Sequence, residues 1–288
     1  MSECCSIEQM HNVHLTLLKE LKRVCDNNGL RYYLACGTCL GAVRHQGFIP
    51  WDHDADVFMY FSDIEKLASV SSQFNDSFFL QCKSTDPGFD SIIYRLRKSD
   101  TTCITKDSIG LDCNQGFAID IYPLYFYPNN FFAAHLNILR SYIYRVLMAD
   151  RVPYNHGLAL KYGAKILLSL YKGKKRKEKC EQLKNKLCMI PKGKYILTYF
   201  GLDISFTKAL LYETAWFETP ANLSFEGETF SAPTNYDAYL TKKYGDYMQL
   251  PPEEKRYADI EKIVVADIAK GYLEYKDVYI VNEEGKTQ

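Results

Sequence analysis

Trp51-Asp52-His53-Asp54-Ala55-Asp56-Val57 is the stretch on which the reading of this chain turns. It opens an apolar run, Asp52 to Phe61, that reads as a β-strand. Side chains alternate faces along a strand, so Asp52, Asp54 and Asp56 are expected on one face and His53 and Ala55 on the other. Three carboxylates spread over about 14 Å of strand repel one another strongly unless a cation offsets them. Hard oxygen ligands at this density suit Mg²⁺ or Mn²⁺, and a divalent ion could bridge a phosphate and organise its displacement. The competing reading is a solvated acidic loop, or an N-terminal cap cluster for a helix predicted over Asp63 to Phe74.

Two neighbours favour the chemical reading. Upstream, Tyr32-Tyr-Leu-Ala-Cys36 is a short apolar strand that stops at Gly37-Thr38, and a small helix follows from Cys39 to His45. A glycine and a hydroxyl residue at a strand-to-helix turn can present backbone N–H groups to a phosphate. Downstream, Asp120 stands alone in the apolar strand Phe117-Ala-Ile-Asp-Ile-Tyr122, where an unpaired carboxylate costs too much and needs a cation, a metal or a role as base. Strand, Gly-Thr turn, helix, strand with D-x-D, then an isolated Asp on a later strand is the layout of the nucleotidyltransferase fold. The expected class is α+β, a nucleotidyltransferase-like mixed sheet flanked by helices with a helical C-terminal part.

The run Gly37-Thr-Cys-Leu-Gly-Ala-Val-Arg-His-Gln-Gly-Phe-Ile-Pro-Trp-Asp-His-Asp-Ala-Asp56 resembles the signature of the LicD family. That family includes bacterial phosphocholine transferases and resembles the fukutin-related ribitol-phosphate transferases. The likeness continues at Gly116 to Pro123, at Phe225 to Pro233, at Tyr239 to Met248 and at Leu250 to Arg256. Residues 128–215 carry no motif that can be assigned. The resemblance implies metal-dependent transfer of a phospho-alcohol, phosphocholine-like, from a CDP-alcohol donor to a hydroxyl of a cell-surface glycan or its lipid-linked precursor, with release of CMP. By motif position Asp54 and Asp56 would be catalytic metal ligands and Asp120 the third carboxylate, with Asp52 auxiliary. The chain departs from the common pattern at His53, where Asp is frequent, and at Ala55, where Ile or Val is frequent. Strand alternation makes His53 structural rather than a ligand.

The remaining candidates each have a plain structural competitor. Gly37, Thr38 and Arg44 are expected to bind the donor phosphates, although Arg44 and His45 also suit a helix C-terminus. In Tyr94-Arg-Leu-Arg-Lys98, alternation sets Arg95 and Arg97 on one face and Lys98 on the other. The family carries a basic residue near Lys98, which implies a contact to the donor diphosphate; a charged edge strand is the competitor. Tyr244-Gly-Asp246 closes over the nucleotide by resemblance, or simply ends a helix at Gly245. Trp51 reads as core, with a stacking surface as the competing reading. Cys36-Gly-Thr-Cys39 has redox or zinc spacing, but with no second such pair the reading is two small residues at a turn.

The whole chain has 288 residues with 35 basic and 35 acidic side chains, and the zero total argues against a protein that coats nucleic acid. Residues 151–200 nevertheless carry 13 basic and 2 acidic side chains. A mostly apolar helix from Leu158 to Tyr171 runs into a charge-rich continuation, Lys172 to Lys186, and this suits peripheral contact with an anionic membrane through 158–186. No nucleic-acid motif accompanies the charge. The start, Met-Ser-Glu-Cys-Cys, has no secretory pattern, so free thiols and a cytoplasmic address, at the inner face of the membrane, are expected. Expected domains are a catalytic core over 1–127, a helical insertion facing acceptor or membrane over 128–215, and a segment over 216–288 that completes the active site. Short helices are predicted near 235–245 and 253–270, and a hairpin around Glu226-Gly227. Two rivals stay open: a nucleotidyltransferase that attacks the α-phosphate of an NTP, and a glycan-binding pseudoenzyme.

Overall fold

The computed structural model describes residues 5–89, 91–149, 152, 158–198, 211–256 and 262–280. Two compact units form, one from the chain up to Pro123 together with the chain from Phe217, the other from Leu124–Trp216.

In the first unit, helix α1 (Ile7–Asn28) starts on a capping box: Ser6 accepts from the Gln9 N–H while the Gln9 side chain returns to the Ser6 N–H. Its buried face is Met10, Val13, His14, Leu17, Leu18, Glu20, Leu21, Val24 and Cys25, which recur at helical spacing. Strand β1 (Tyr33–Leu34) leads directly into α2 (Cys36–His45). Gly37 and Thr38 therefore lie in the first helical turn rather than before it. Strand β2 spans only Asp56–Tyr60, with every residue buried. This corrects the expected strand from Asp52: residues 52–55 precede the ladder. The reason is a turn, since the Asp52 N–H donates to the Ile49 carbonyl and diverts the chain before pairing begins.

Helix α3 (Phe61–Ser69) is shorter than predicted, and a 3₁₀ turn takes Ser71–Gln73. Strands β3 (Phe78–Gln81), β4 (Tyr94–Lys98), β5 (Thr102–Thr105) and β6 (Phe117–Tyr127) follow, with a turn closed by the Thr101 N–H on the Lys98 carbonyl between β4 and β5. The sheet order in this unit is β1-β2-β6-β4-β3. Its interior holds Leu34, Val57, Met59, Leu96, Ile119 and Ile121.

The second unit takes over at the end of β6. It contains α4 (Phe131–Ala149), α5 (Leu158–Leu170) and α6 (Gly173–Cys188), then strands β7 (Tyr195–Leu197) and β8 (Leu211–Glu213). The basic segment is a separate helix rather than a continuation of α5, because Gly173 at φ 50° breaks the run. Helix α6 buries Cys180, Leu183 and Leu187 and leaves its lysines outward. No helix among the described residues is long and apolar enough to cross a membrane.

The chain returns to the first unit with the hairpin β9 (Ala221–Phe225) and β10 (Glu228–Ala232). Glu226 and Gly227 form its two-residue loop, both at positive φ (52° and 75°), as a hairpin turn that follows strand twist requires. Helix α7 (Tyr236–Tyr244) comes next, then a 3₁₀ turn at Glu253–Lys255. The helix expected over 253–270 is corrected: Ile263–Asp267 is strand β11, antiparallel to β5. Its Ile-Val-Val start favours the pleated state, and β5 supplies the open ladder. A one-turn helix α8 (Lys276–Tyr279) buries Tyr279 against Ile104 and Val265.

Candidate active site

Backbone pairing brings two of the acids together. The Asp120 N–H on β6 donates to the Ala55 carbonyl at 2.9 Å, which sets Asp120 beside the start of β2. Asp56 is held at both backbone groups: its N–H donates to the Thr38 hydroxyl at 2.8 Å, and its carbonyl accepts from the Ala35 N–H at 3.0 Å. Thr38 is buried, so its hydroxyl acts beneath the site as a clamp on Asp56. The Cys36 thiol slightly offsets the rise in the Asp56 pKa.

The four acids are not equivalent. Asp54 is exposed, Asp52 half-buried and Asp56 buried. Burial pushes the Asp56 carboxyl well above the usual carboxylate range, and the charges of Asp54, Asp120 and Asp52 add to the effect. A hard divalent cation relieves that electrostatic state, and the donor set is the oxygen-rich one such an ion prefers. Among the described residues no three His, Cys, Asp or Glu side chains converge closely enough to chelate an ion as they stand. Asp120 instead has a cation from the protein: Arg95, directly opposite it in the β4–β6 register, donates through Nε to Oδ1 at 2.7 Å. Arg97 is buried and donates to Gln81 Oε1 and the Gly116 carbonyl.

Beside this cluster opens a cleft of about 810 Å³. Gly37, Arg44, Tyr244 and Asp246, all expected at the donor, line it together with Trp51, Asp52, His53 and Arg256. A Cβ at Gly37 would lie 2.3 Å from Asp52 Oδ2, so a larger residue there must turn the Asp52 carboxylate aside. Arg44 donates to the Tyr247 carbonyl at 2.8 Å, and its Nε–H donates to His45 Nε2, which leaves the His45 proton on Nδ1. Burial, and then the neighbouring Arg256, hold the Arg44 guanidinium below its ordinary value. Two guanidiniums crowded at one cleft are an anion site by charge alone.

Residues 29–142 match the family model described as LicD/FKTN/FKRP, nucleotidyltransferase domain. The chain carries a LicD-family domain. The lipopolysaccharide cholinephosphotransferase LicD of Haemophilus influenzae is 26% identical over 264 residues, which cover 86% of this chain and 94% of that protein. The ribitol 5-phosphate transferase FKRP of Mus musculus is 31% identical over 125 residues, 40% of this chain and 22% of its own length. Its human counterpart is 35% identical over 89 residues, 28% of this chain and 18% of its length.

The family-model match over residues 29–142 takes in Asp54, Asp56 and Asp120 but stops short of α7 and Arg256, which also line the cleft. Lys98 is set apart from that wall: its ammonium binds both Asp100 oxygens at 2.7 Å and lies over the Phe78 ring. His53 lines the cleft beside Asp52, which corrects its expected place on the opposite face; strand alternation does not apply before Asp56. Trp51 is cleft wall rather than core, with the Arg256 guanidinium 4.8 Å from its ring centroid. Cys36 and Cys39 are free and burial raises both thiols, Cys39 to about 12, so neither is a thiolate nucleophile.

Three supporting residues escaped the sequence reading. Arg95 needed the strand register. His11 on α1 stacks on Phe48 at 4.3 Å and hydrogen-bonds the Asp52 carbonyl through Nε2. Glu226 at the hairpin tip accepts from the Phe48 N–H at 2.9 Å, while its own N–H donates to the Gln46 carbonyl. No local pattern marks any of them.

Proposed function

We propose that this chain transfers a phospho-alcohol, phosphocholine-like, from a CDP-activated donor to a hydroxyl of a cell-surface glycan or its lipid-linked precursor, with release of CMP. One observation carries the reading: a cleft with two guanidiniums, Arg44 and Arg256, is also lined by Asp52, whose charge acts on buried Asp56 together with those of Asp54 and Asp120. Cations on one side suit a diphosphate, and carboxylates on the other suit a divalent metal and a proton acceptor. The names and coverage of the Haemophilus and FKRP relatives support the same reaction class.

Arg44 and Arg256 would pair with the donor diphosphate, and the Trp51 face and Tyr244 would border the rest of the nucleotide. Asp54, Asp56 and Asp120 are the residues that would hold Mg²⁺ or Mn²⁺. When bound, such an ion offsets charge on phosphorus and on the departing CMP. Thr38 keeps Asp56 in place, and Arg95 fixes the orientation of Asp120. Asp120 would serve either as the third ligand or, held by Arg95, as the group that takes the proton of the acceptor hydroxyl as the bond to phosphorus forms and the bond to CMP breaks.

The test is turnover of a panel of CDP-alcohols with Mg²⁺ and a glycan acceptor, with products identified. CMP release with a phosphorylated glycan is expected, and pyrophosphate from an NTP would overturn it in favour of nucleotidyl transfer. Asp54→Ala is the companion variant. Its side chain is exposed, so the fold should persist while the rate falls by on the order of 10³ or more. Full turnover by that variant would remove Asp54 from the mechanism.

A further inference from the structure

The helices of the second unit carry a surface that the cleft chemistry does not use. Helix α4 starts sharply, because the Asn130 carboxamide oxygen accepts from the Phe132 and Ala133 N–H groups. From there Phe132, Leu136 and Leu139 recur at intervals of four and three, one stripe on the helix, and all three are exposed (80%, 46% and 54%). Helix α5 repeats the pattern. It packs Ala164 against Tyr142 and Val146 of α4, yet Tyr162, Ile166 and Leu170 remain exposed. Both helices thus have a buried seam and a second, solvent-facing apolar side. Monomeric soluble proteins seldom leave so many large apolar groups outside on neighbouring helices.

Charge identifies the occupant. Neither α4 nor α5 contains an Asp or Glu, and together with α6 they hold 11 Lys and Arg against Glu178 and Glu181. On α6, which packs on α4, Lys174, Lys175 and Lys177 are exposed while Cys180, Leu183 and Leu187 face inward. A second copy of this chain would bring cations against cations. Exposed Phe, Tyr, Leu and Ile beside lysines, without carboxylates, instead fit an anionic headgroup layer with acyl chains beneath it.

We propose that α4, α5 and α6 form a monotopic membrane-binding face: the Phe132, Leu136 and Leu139 stripe enters the interface of an anionic bilayer and the α6 lysines engage its headgroups. The proposal extends the contact expected over 158–186 to α4, whose exposed stripe the sequence pattern alone did not separate from a core face. It is independent of the transfer chemistry, because its readout is binding.

The experiment is co-sedimentation of the full chain with vesicles of phosphatidylcholine plus phosphatidylglycerol and with vesicles of phosphatidylcholine alone. Binding to the anionic vesicles is expected, weakened by salt and much weaker on the neutral ones. Replacing Phe132, Leu136 and Leu139 together by Ser should lower vesicle affinity by about tenfold or more, and Lys174→Gln, Lys175→Gln and Lys177→Gln together should do the same and flatten the salt dependence. Circular dichroism checks that each variant is folded; should the apolar variant not fold, the lysine variant decides. Failure of the wild-type chain to sediment with anionic vesicles overturns the proposal. So does unchanged binding by the folded variants. A dimer in solution that the serine substitutions split, with no vesicle binding, would assign the face to self-association instead.

Discussion

His14 shows how a single side chain ties the stability of this fold to pH. It is buried on α1, donates from Nδ1 to the Met10 carbonyl at 2.8 Å, and meets the Phe117 ring edge-on. Burial first, then the nearby His11 and His53, lower its pKa from 6.5 to about 4. The folded state therefore keeps this imidazole neutral in a range where the unfolded chain takes up a proton. Stability is complete above pH 6.5 and is lost as pH falls toward 4, by about 3 kcal/mol in all. His14→Phe should flatten that loss, seen as a smaller drop in the urea midpoint between pH 7 and pH 4.5. An equal drop in both proteins would show that another group governs acid sensitivity. At this scale the sequence was most informative about the acids: Asp54, Asp56 and Asp120 stand out by composition. It was silent about Arg95, whose pairing with Asp120 depends on which residue of β4 faces which residue of β6.

Among the elements, the β9–β10 hairpin has the most direct hold on the cleft. Its turn was legible as Glu226-Gly227, a loop between two short strand-like runs, whereas its target was not. Glu226 reaches the loop between α2 and β2, accepting from the Phe48 N–H and contributing its own N–H to Gln46. Phe48 in turn carries His11, which hydrogen-bonds the Asp52 carbonyl. Glu226→Ala leaves the Phe48 N–H without its acceptor and should cost about 1–3 kcal/mol. It should also lower turnover by loosening the loop that leads to the acids. Glu226→Gln keeps an acceptor oxygen and should recover most of both losses. Thermal unfolding and turnover, measured on the same two variants, check this, and equal damage from Ala and Gln would refute it. The same logic explains two of the differences between expectation and structure. Asp52–Ala55 is no strand because the Ile49 carbonyl captures the Asp52 N–H, and Ile263–Asp267 is a strand because β5 offers it a ladder.

Across the whole molecule, the cleft is a junction of distant sequence. Gly37, Arg44, Trp51 and Asp52 come from the first fifth of the chain, and Tyr244, Asp246 and Arg256 from beyond the entire second unit. Arg256 touches the Trp51 face and the Pro251 carbonyl, so its loss should leave the fold intact. Arg256→Ala should weaken binding of a CDP-alcohol by about 10- to 100-fold, the worth of one charge-assisted hydrogen bond. Calorimetric titration would show it, with KM rising more than kcat falls; unaltered affinity would place the diphosphate elsewhere.

Local sequence was enough for the α+β class, the Ser6–Gln9 cap of the first helix and the hairpin turn, and it singled out the acids at 54, 56 and 120 as candidates. Each rests on local facts: periodicity, capping residues, turn chemistry, or a charge where apolar residues are expected. Only the tertiary structure decided that Asp52 and His53 share a cleft wall, that Thr38 clamps Asp56, that Arg95 answers Asp120, and that Lys98 binds Asp100 instead of facing the cleft. The Thr38 clamp and the Arg95 pairing join residues 18 and 25 positions apart, and the cleft wall and the place of Lys98 depend on which distant segments pack nearby, which no local pattern encodes.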